Sequence, residues 1–271
     1  MKKIAPKDIT KLESLFVKSF RLLKSNPNKA GLMILFDALF LVSAFGLQIL
    51  FRYIAQSLNI SIAMPKTTAT AFAYITFSLL YYLIVLFVYS FFKYCVLDFI
   101  KSLYEKAEFS FKRLGQFYSL NLIIAGIFFA AMIALNFLLA SIKPNYQPFV
   151  FIFLAVPYAL FLYIIINISH SLFYGGALIK DSIKNSFKIT FTKIKIYRET
   201  ILIMILSALV LWLLFFGSGY VIRLIASRNY NLYLNAYAYF KQASIIVFDI
   251  AFYLVILINR VSFYAAIREI K

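Results

Sequence analysis

The sequence predicts an all-α fold: a polytopic membrane bundle of six transmembrane helices with three cytoplasmic amphipathic helices, arranged as a three-fold internal helix-plus-hairpin repeat. Three observations predict it. Of the 271 residues, 63% are hydrophobic and 14% charged, with a mean hydropathy of +0.87. That is too little polar surface to keep such a chain in water. Six apolar runs are each long enough, at about 1.5 Å rise per residue, to cross a hydrocarbon core of roughly 30 Å. The basic residues, finally, gather on alternate sides of those runs.

The first span is predicted near 31–51 and the others near 71–92, 119–142, 149–172, 200–222 and 243–264. Lys2 through Lys29, Lys93 through Arg113, Lys180 through Arg198, and Arg260, Arg268 and Lys271 fall on one side and hold 22 of the 28 Lys and Arg. Arg52, Lys66, Lys143, Arg223, Arg228 and Lys241 make up the 6 on the other. By the positive-inside rule the first side is cytoplasmic, which puts the chain in the cell membrane with N- and C-termini inside. The start, MKKIAPKDITKLESLF, lacks a continuous apolar core and a small-residue cleavage site, so it reads as a retained cytoplasmic segment.

Each hairpin follows a basic, aromatic segment with a common opening: SFRLLK from Ser19, SFKRL from Ser110 and SFKITF from Ser186. In the first, Ile9, Leu12, Phe16, Phe20 and Leu23 share a helical face, with Lys7, Lys11, Lys18 and Lys24 largely off it. The second sets Ile100, Leu103, Tyr104, Ala107, Phe111 and Leu114 against Lys101, Glu105, Glu108 and Lys112. The third sets Ile179, Ile183, Phe187, Phe191 and Ile194 against Lys180, Lys184, Lys188 and Lys195. The returning spans end alike too, in FFKYCVLDFIK from Phe91, LFYGGALIK from Leu172 and SFYAAIREIK from Ser262. These features divide a single transmembrane domain, 1–271, into repeat units of approximately 8–93, 94–173 and 174–271.

Ionisable groups inside a span cost on the order of 2.5–3.5 kcal/mol at the helix centre on insertion scales, and so mark candidate sites. Asp37 lies about two turns from the cytoplasmic end of the first span and Arg260 about one turn from that of the last. Lys93, Asn121, Asn167, His170 and Asn259 belong to the same level. One reading is a polar vestibule open to the cytosol, with an Asp37–Arg260 pair and His170 beside it; the favoured reading is that these residues snorkel or cap helices. Asp249 sits about two turns from the outer end of the last span; one reading is proton or cation coupling with Arg52 or Arg223 as a neutralising partner at the outer rim, and the favoured one is a simple structural pair. The candidate intramembrane polar site is therefore Asp37, Arg260, His170, Asn167 and Asp249.

Catalytic and metal chemistry find little purchase. His170 is the only histidine and Cys95 the only cysteine, so no multi-histidine or thiolate-cluster metal site and no intrachain disulfide can be built. No nucleophile elbow or phosphate loop is present. The sequence accordingly predicts no catalytic residues, no metal and no cofactor. Gly175-Gly176 and Gly217-Ser218-Gly219 read as helix ends or close packing, and Gly126, Ala130 and Ala134 as a face for close helix approach. Pro157 marks a bend in the fourth span. Tyr230, Tyr233 and Tyr237 form an aromatic belt element, and Asn59-Ile60-Ser61 is an outward glycosylation sequon.

With SFRLLK, SFKRL and SFKITF ahead of three hairpins, the whole chain resembles six-span prokaryotic membrane families of unknown function, common in archaea. It is also similar to the membrane domain found beside some bacterial glycerophosphodiester phosphodiesterases. The likeness lies in architecture and repeat pattern. An attached phosphodiesterase needs a barrel of roughly 250 residues, for which this chain has no room, so the resemblance implies no enzymatic activity and transfers no site residue.

The expected function is a non-enzymatic membrane scaffold or a lipid-associated component of a complex. Its amphipathic helices engage the anionic inner leaflet or a protein partner, which includes a second copy of the chain, and nucleic acid is not expected. The alternative is a transporter or lipid-translocating permease, favoured by the internal repeats, Pro157 and the carboxylates Asp37 and Asp249.

Overall fold

A computed structural model describes residues 14–58, 67–226 and 230–270. Among these there are eight helices and no strand: α1 (Leu15–Ser25), α2 (Pro27–Ser57), α3 (Thr68–Ser102), α4 (Phe111–Ala140), α5 (Gln147–Tyr174), α6 (Ile179–Thr192), α7 (Ile194–Ala226) and α8 (Tyr230–Ile270). Six of them, α2 to α5, α7 and α8, are long and apolar enough to cross a membrane. Their apolar side chains turn outward: Leu41, Val42, Phe45, Phe72, Phe137, Phe149 and Phe153 are all exposed. A soluble monomer does not carry so much contiguous apolar surface; a lipid-embedded chain does. Ile9, Leu12, Lys7 and Lys11 of the first basic segment, Lys66, Arg228 and the Asn59-Ile60-Ser61 sequon lie outside the described residues.

The helices run past the predicted spans because chain at the membrane surface stays helical once the apolar stretch has nucleated it. Starts and stops have local causes. Pro27 and Pro148 stand in the first turns of α2 and α5, where no N–H partner is needed. Thr67 caps α3 in a reciprocal box with Thr70. At the end of α5, Gly176 adopts φ +94°. Its N–H donates to the Phe173 carbonyl at 2.9 Å and the Ala177 N–H to Leu172 at 3.1 Å, a Schellman closure. A Cβ at Gly176 would meet nothing within 4 Å, so only the backbone conformation resists one. Gly176→Ala is therefore expected to lower stability by about 1–2 kcal/mol, read from denaturant unfolding in detergent.

The second basic segment departs from expectation. Residues 100–102 complete α3, 103–110 are not helical, and α4 begins at Phe111, so the predicted helix through Ile100–Leu114 is divided between two spans. Ser110 takes an extended conformation (φ −140°, ψ 121°) and starts a new helix, whose first turns already bury Leu114 and Phe117. One unbroken helix buries that apolar stripe better than a short one followed by a turn.

The chain forms two compact units, one of residues 26–190 and one of 14–25 with 191–270. In the first, α2 packs on α3, α3 on α4, and α5 on both α3 and α4. Aromatic pairs zip the hairpins: Phe36 meets Phe92 and Phe99, Phe40 meets Tyr89, and Phe51 meets Phe77 and Tyr81 along α2–α3. Phe128 meets Tyr158 and Phe161 along α4–α5. Ring pairs fill the seam of an antiparallel hairpin, which is one use of so many Phe and Tyr. Pro157 stands on an exposed side of α5, which continues through it. Gly126, Ala130 and Ala134 are also exposed, so no neighbour within the chain uses their close-approach face.

In the other unit α7 and α8 form the hairpin and α1 packs mainly on α8. Tyr197 stacks on Phe263 at 6.0 Å, Phe215 meets Phe248, and a Cβ added at Gly219 would come within 3.2 Å of Phe240. Gly219 thus permits the close approach that its sequence suggested, whereas Gly217 does not face a neighbour. Ser14 donates a hydrogen bond to the Glu199 carboxylate and ties the start of α1 to α7.

Candidate functional site

In unit 26–190 the buried polar side chains of α3, α4 and α5 collect at one level, near the end bearing Lys101, Arg113 and Lys180, and those of α6 are Ser182, Ser186 and Thr190. Residues 167–174 of α5 are buried without interruption, so the end of this helix is the pillar of the unit. Around it stand Tyr94, Val96, Leu97 and Ile100 of α3 and Leu114, Phe117 and Leu120 of α4, all buried.

One hydrogen-bond chain crosses the three helices, and its direction can be worked out from its far end. Ser90 donates to the Leu86 carbonyl at 2.7 Å. Its oxygen then accepts from the Asn121 amide N–H at 3.0 Å. The Asn121 carbonyl is left to accept, and it lies 2.7 Å from His170 Nε2. Nε2 must therefore carry the proton. Ser90, Asn121 and His170 are 0%, 4% and 1% exposed, which makes the chain an internal clamp rather than a surface feature. Phe117 closes over it, with its ring 4.7 Å from the imidazole.

Next to the clamp, Tyr174 donates from its hydroxyl to the Tyr94 carbonyl at 2.7 Å, a second α5–α3 bond. Two cations complete helix ends. Arg113 donates to the Phe173 carbonyl at 3.3 Å with its guanidinium 5.6 Å from that ring, and Lys29 donates to the Ser102 carbonyl at 2.6 Å. Both place positive charge where a helix C-terminus concentrates unpaired carbonyls.

The predicted site residues separate. His170 enters the clamp with Asn121. Asn167, though buried, donates to the Tyr163 carbonyl of its own helix at 2.8 Å. Asp37 is half-buried on α2. Asp249 and Arg260 belong to the other unit, where Arg260 is half-buried and Asp249 exposed. The Asp37–Arg260 pair thus joins residues of two different units. Asn259 donates to the Thr200 carbonyl at 3.2 Å and ties α8 to α7. Lys93 and Cys95 are both buried. Among the described residues no three His, Cys, Asp or Glu side chains gather closely enough to hold a metal ion.

No family model, curated protein or solved structure matches this chain. The site must be read on its own chemistry. Sequence reasoning missed Ser90, Tyr94, Arg113 and Tyr174. For Ser90 the only signal was its place one turn before Lys93, at the level already marked by Asn121 and His170. An imidazole with Nε2–H committed to a buried amide, under a phenyl ring, is positioned to hold helices together. Water and substrate have no direct access to a side chain 1% exposed.

Proposed function

We propose that this chain is a non-enzymatic membrane scaffold, or a lipid-associated component of a complex, with both termini in the cytoplasm. The observation that carries the reading is how the buried polar groups are used. Ser90, Asn121, His170, Asn167 and Ser171 spend their hydrogen bonds on helix carbonyls and on one another. A transport path would turn such groups toward a hydrated passage. The grooves of the surface point the same way: one of about 360 Å³ between α2 and α3 is lined by Gly46, Leu47, Leu50, Phe87 and Phe91 among others, a surface suited to acyl chains.

The basic segments are the parts that meet the cytoplasmic leaflet. On α6, Lys180, Lys184 and Lys188 lie along one exposed stripe that continues to Phe191, itself 72% exposed. On α1, Val17 and Phe20 are exposed beside Arg21 and Lys24. Exposed aromatic and basic residues together suit an interface of acyl chains and anionic headgroups, at about 1 kcal/mol for each cation near the surface. The triple substitution Lys180→Gln, Lys184→Gln, Lys188→Gln is expected to strip most of the anionic lipid that co-purifies with the protein and leave zwitterionic lipid in place. Unchanged retention would remove the leaflet contact from the proposal.

Native mass spectrometry of the protein released gently from its own membrane tests the whole reading. A stoichiometric protein partner supports the scaffold. A retained small molecule or lipid without any protein partner favours the alternative, a transporter or lipid-translocating permease.

A further inference from the structure

Asp249 is the one carboxylate near the middle of the α7–α8 hairpin, and it is exposed. It makes no hydrogen bond or ion pair with any described residue. Its neighbours Ile245, Ile246 and Ile250 are exposed apolar residues, so it is a lone carboxyl group on an otherwise apolar exposed surface. Phe248 and Phe252 flank Asp249 toward α7, and Phe248 meets Phe215 of that helix.

The nearest basic residues of the same helix lie too far along it. Lys241 is about 12 Å away at 1.5 Å per residue and Arg260 about 16 Å, although Arg260 shares the Asp249 face to within roughly 20°. The hairpin register, set by Phe215 against Phe248 and Gly219 against Phe240, puts Arg223 about ten residues, or roughly 15 Å, from the level of Asp249. The expected Asp249–Arg223 pair is therefore out of reach. Arg52 belongs to the other unit and stands just past the first predicted span.

Residues 31–51, 71–92, 119–142, 149–172 and 200–222 contain neither Lys nor Arg. No span of this chain other than α8 itself therefore carries a lysine or arginine within it, and a second copy has the same lack. We propose that the Asp249 face of α8 docks a transmembrane helix of a different protein, one that carries a lysine or arginine near mid-bilayer. The proposal rests on the reading of the chain as a component of a complex and names the chemistry of its partner. Complementary charge within the bilayer supplies pairing and depth register together, and the isoleucines around Asp249 give the contact its apolar rim.

The test uses the full chain reconstituted in liposomes with a labelled oligoleucine transmembrane peptide, bearing either one central lysine or none, and association read by energy transfer. The lysine peptide is expected to associate about tenfold more tightly than the all-leucine peptide. Asp249→Asn should abolish that preference, and Asp249→Lys should transfer it to a peptide with a central aspartate. Equal association of both peptides with the unaltered protein, or a lysine preference that survives Asp249→Asn, overturns the proposal. Its failure is separable from that of the scaffold reading. A stoichiometric partner retained in native membranes beside an indifferent Asp249 removes only the docking face. A lysine preference that needs Asp249 upholds the face even where native membranes yield no partner.

Discussion

Asn121→Leu is expected to destabilise unit 26–190 by about 2–3 kcal/mol, although leucine is close in size and apolar. The replacement removes the acceptor for His170 Nε2–H and the donor to Ser90. Ser90 survives the loss, because its hydroxyl already donates to the Leu86 carbonyl. His170 does not: its N–H is left buried without an acceptor, and an orphaned buried donor costs about 1–3 kcal/mol. Interhelical bonds in membranes are weaker on average than this, about 0.6 kcal/mol, since the unfolded chain also finds partners in the bilayer. The loss thus comes from orphaning more than from bond strength, and a double-mutant cycle separates the two. Asn121→Leu with His170→Phe removes both members and keeps a ring beside Phe117, so it should recover at least half of the loss. Unfolding in mixed micelles by denaturing detergent measures all three variants. Additive losses would mean that the clamp does not couple α4 to α5.

The spans were legible because the bilayer dictates them: a helix of fixed rise must cover a fixed thickness with apolar residues, and each predicted window falls on its helix, bar two residues past the end of α4. The level of the polar site was legible for the same reason, since a costly Asn or His stands out in an apolar run. Its wiring was not. Whether Asn121 meets Ser90 or Asn167 depends on the rotation of α3, α4 and α5 about their axes, and in a lipid-embedded chain no hydrophobic stripe reports that rotation. The basic helices show the point most clearly. Hydrophobic periodicity grouped Phe20 with Leu23 and Phe191 with Ile183 on apolar faces; the two rings are 51% and 72% exposed, and the buried positions are Ser19 and Leu23 on α1 and Ser182, Ser186, Ile189 and Thr190 on α6. Small polar side chains let helix backbones approach, while large apolar ones are at home in lipid. Apolar periodicity alone therefore does not tell which face of such a helix meets protein. The break at Ser110 hides for a different reason, because nothing in the stretch before it breaks a helix by composition.

Phe117→Ala is expected to be the most damaging single truncation, at about 3 kcal/mol or more. Phe117 is fully buried, and its ring lies 4.7 Å from His170, 5.7 Å from Phe173, 5.8 Å from Tyr94 and 6.2 Å from Tyr174. In water, a phenylalanine truncated in a core loses about 3–5 kcal/mol, part of it transfer free energy and part the cavity left behind. In a bilayer the transfer part shrinks, since lipid solvates the ring in the unfolded state. The cavity part remains, because four aromatic neighbours lose contact on one side. Truncation at Phe137, which is 74% exposed, is the matching control and should cost less than about 0.5 kcal/mol, since there lipid simply fills the space. The void left by Phe117→Ala would be dry, apolar and roughly benzene-sized, so benzene at saturating concentration should restore part of the lost stability to that variant and none to Phe137→Ala. Equal losses at the two positions would show that protein packing around α5 contributes no more than lipid does, and the buried end of α5 would then lose its standing as the structural centre of the unit.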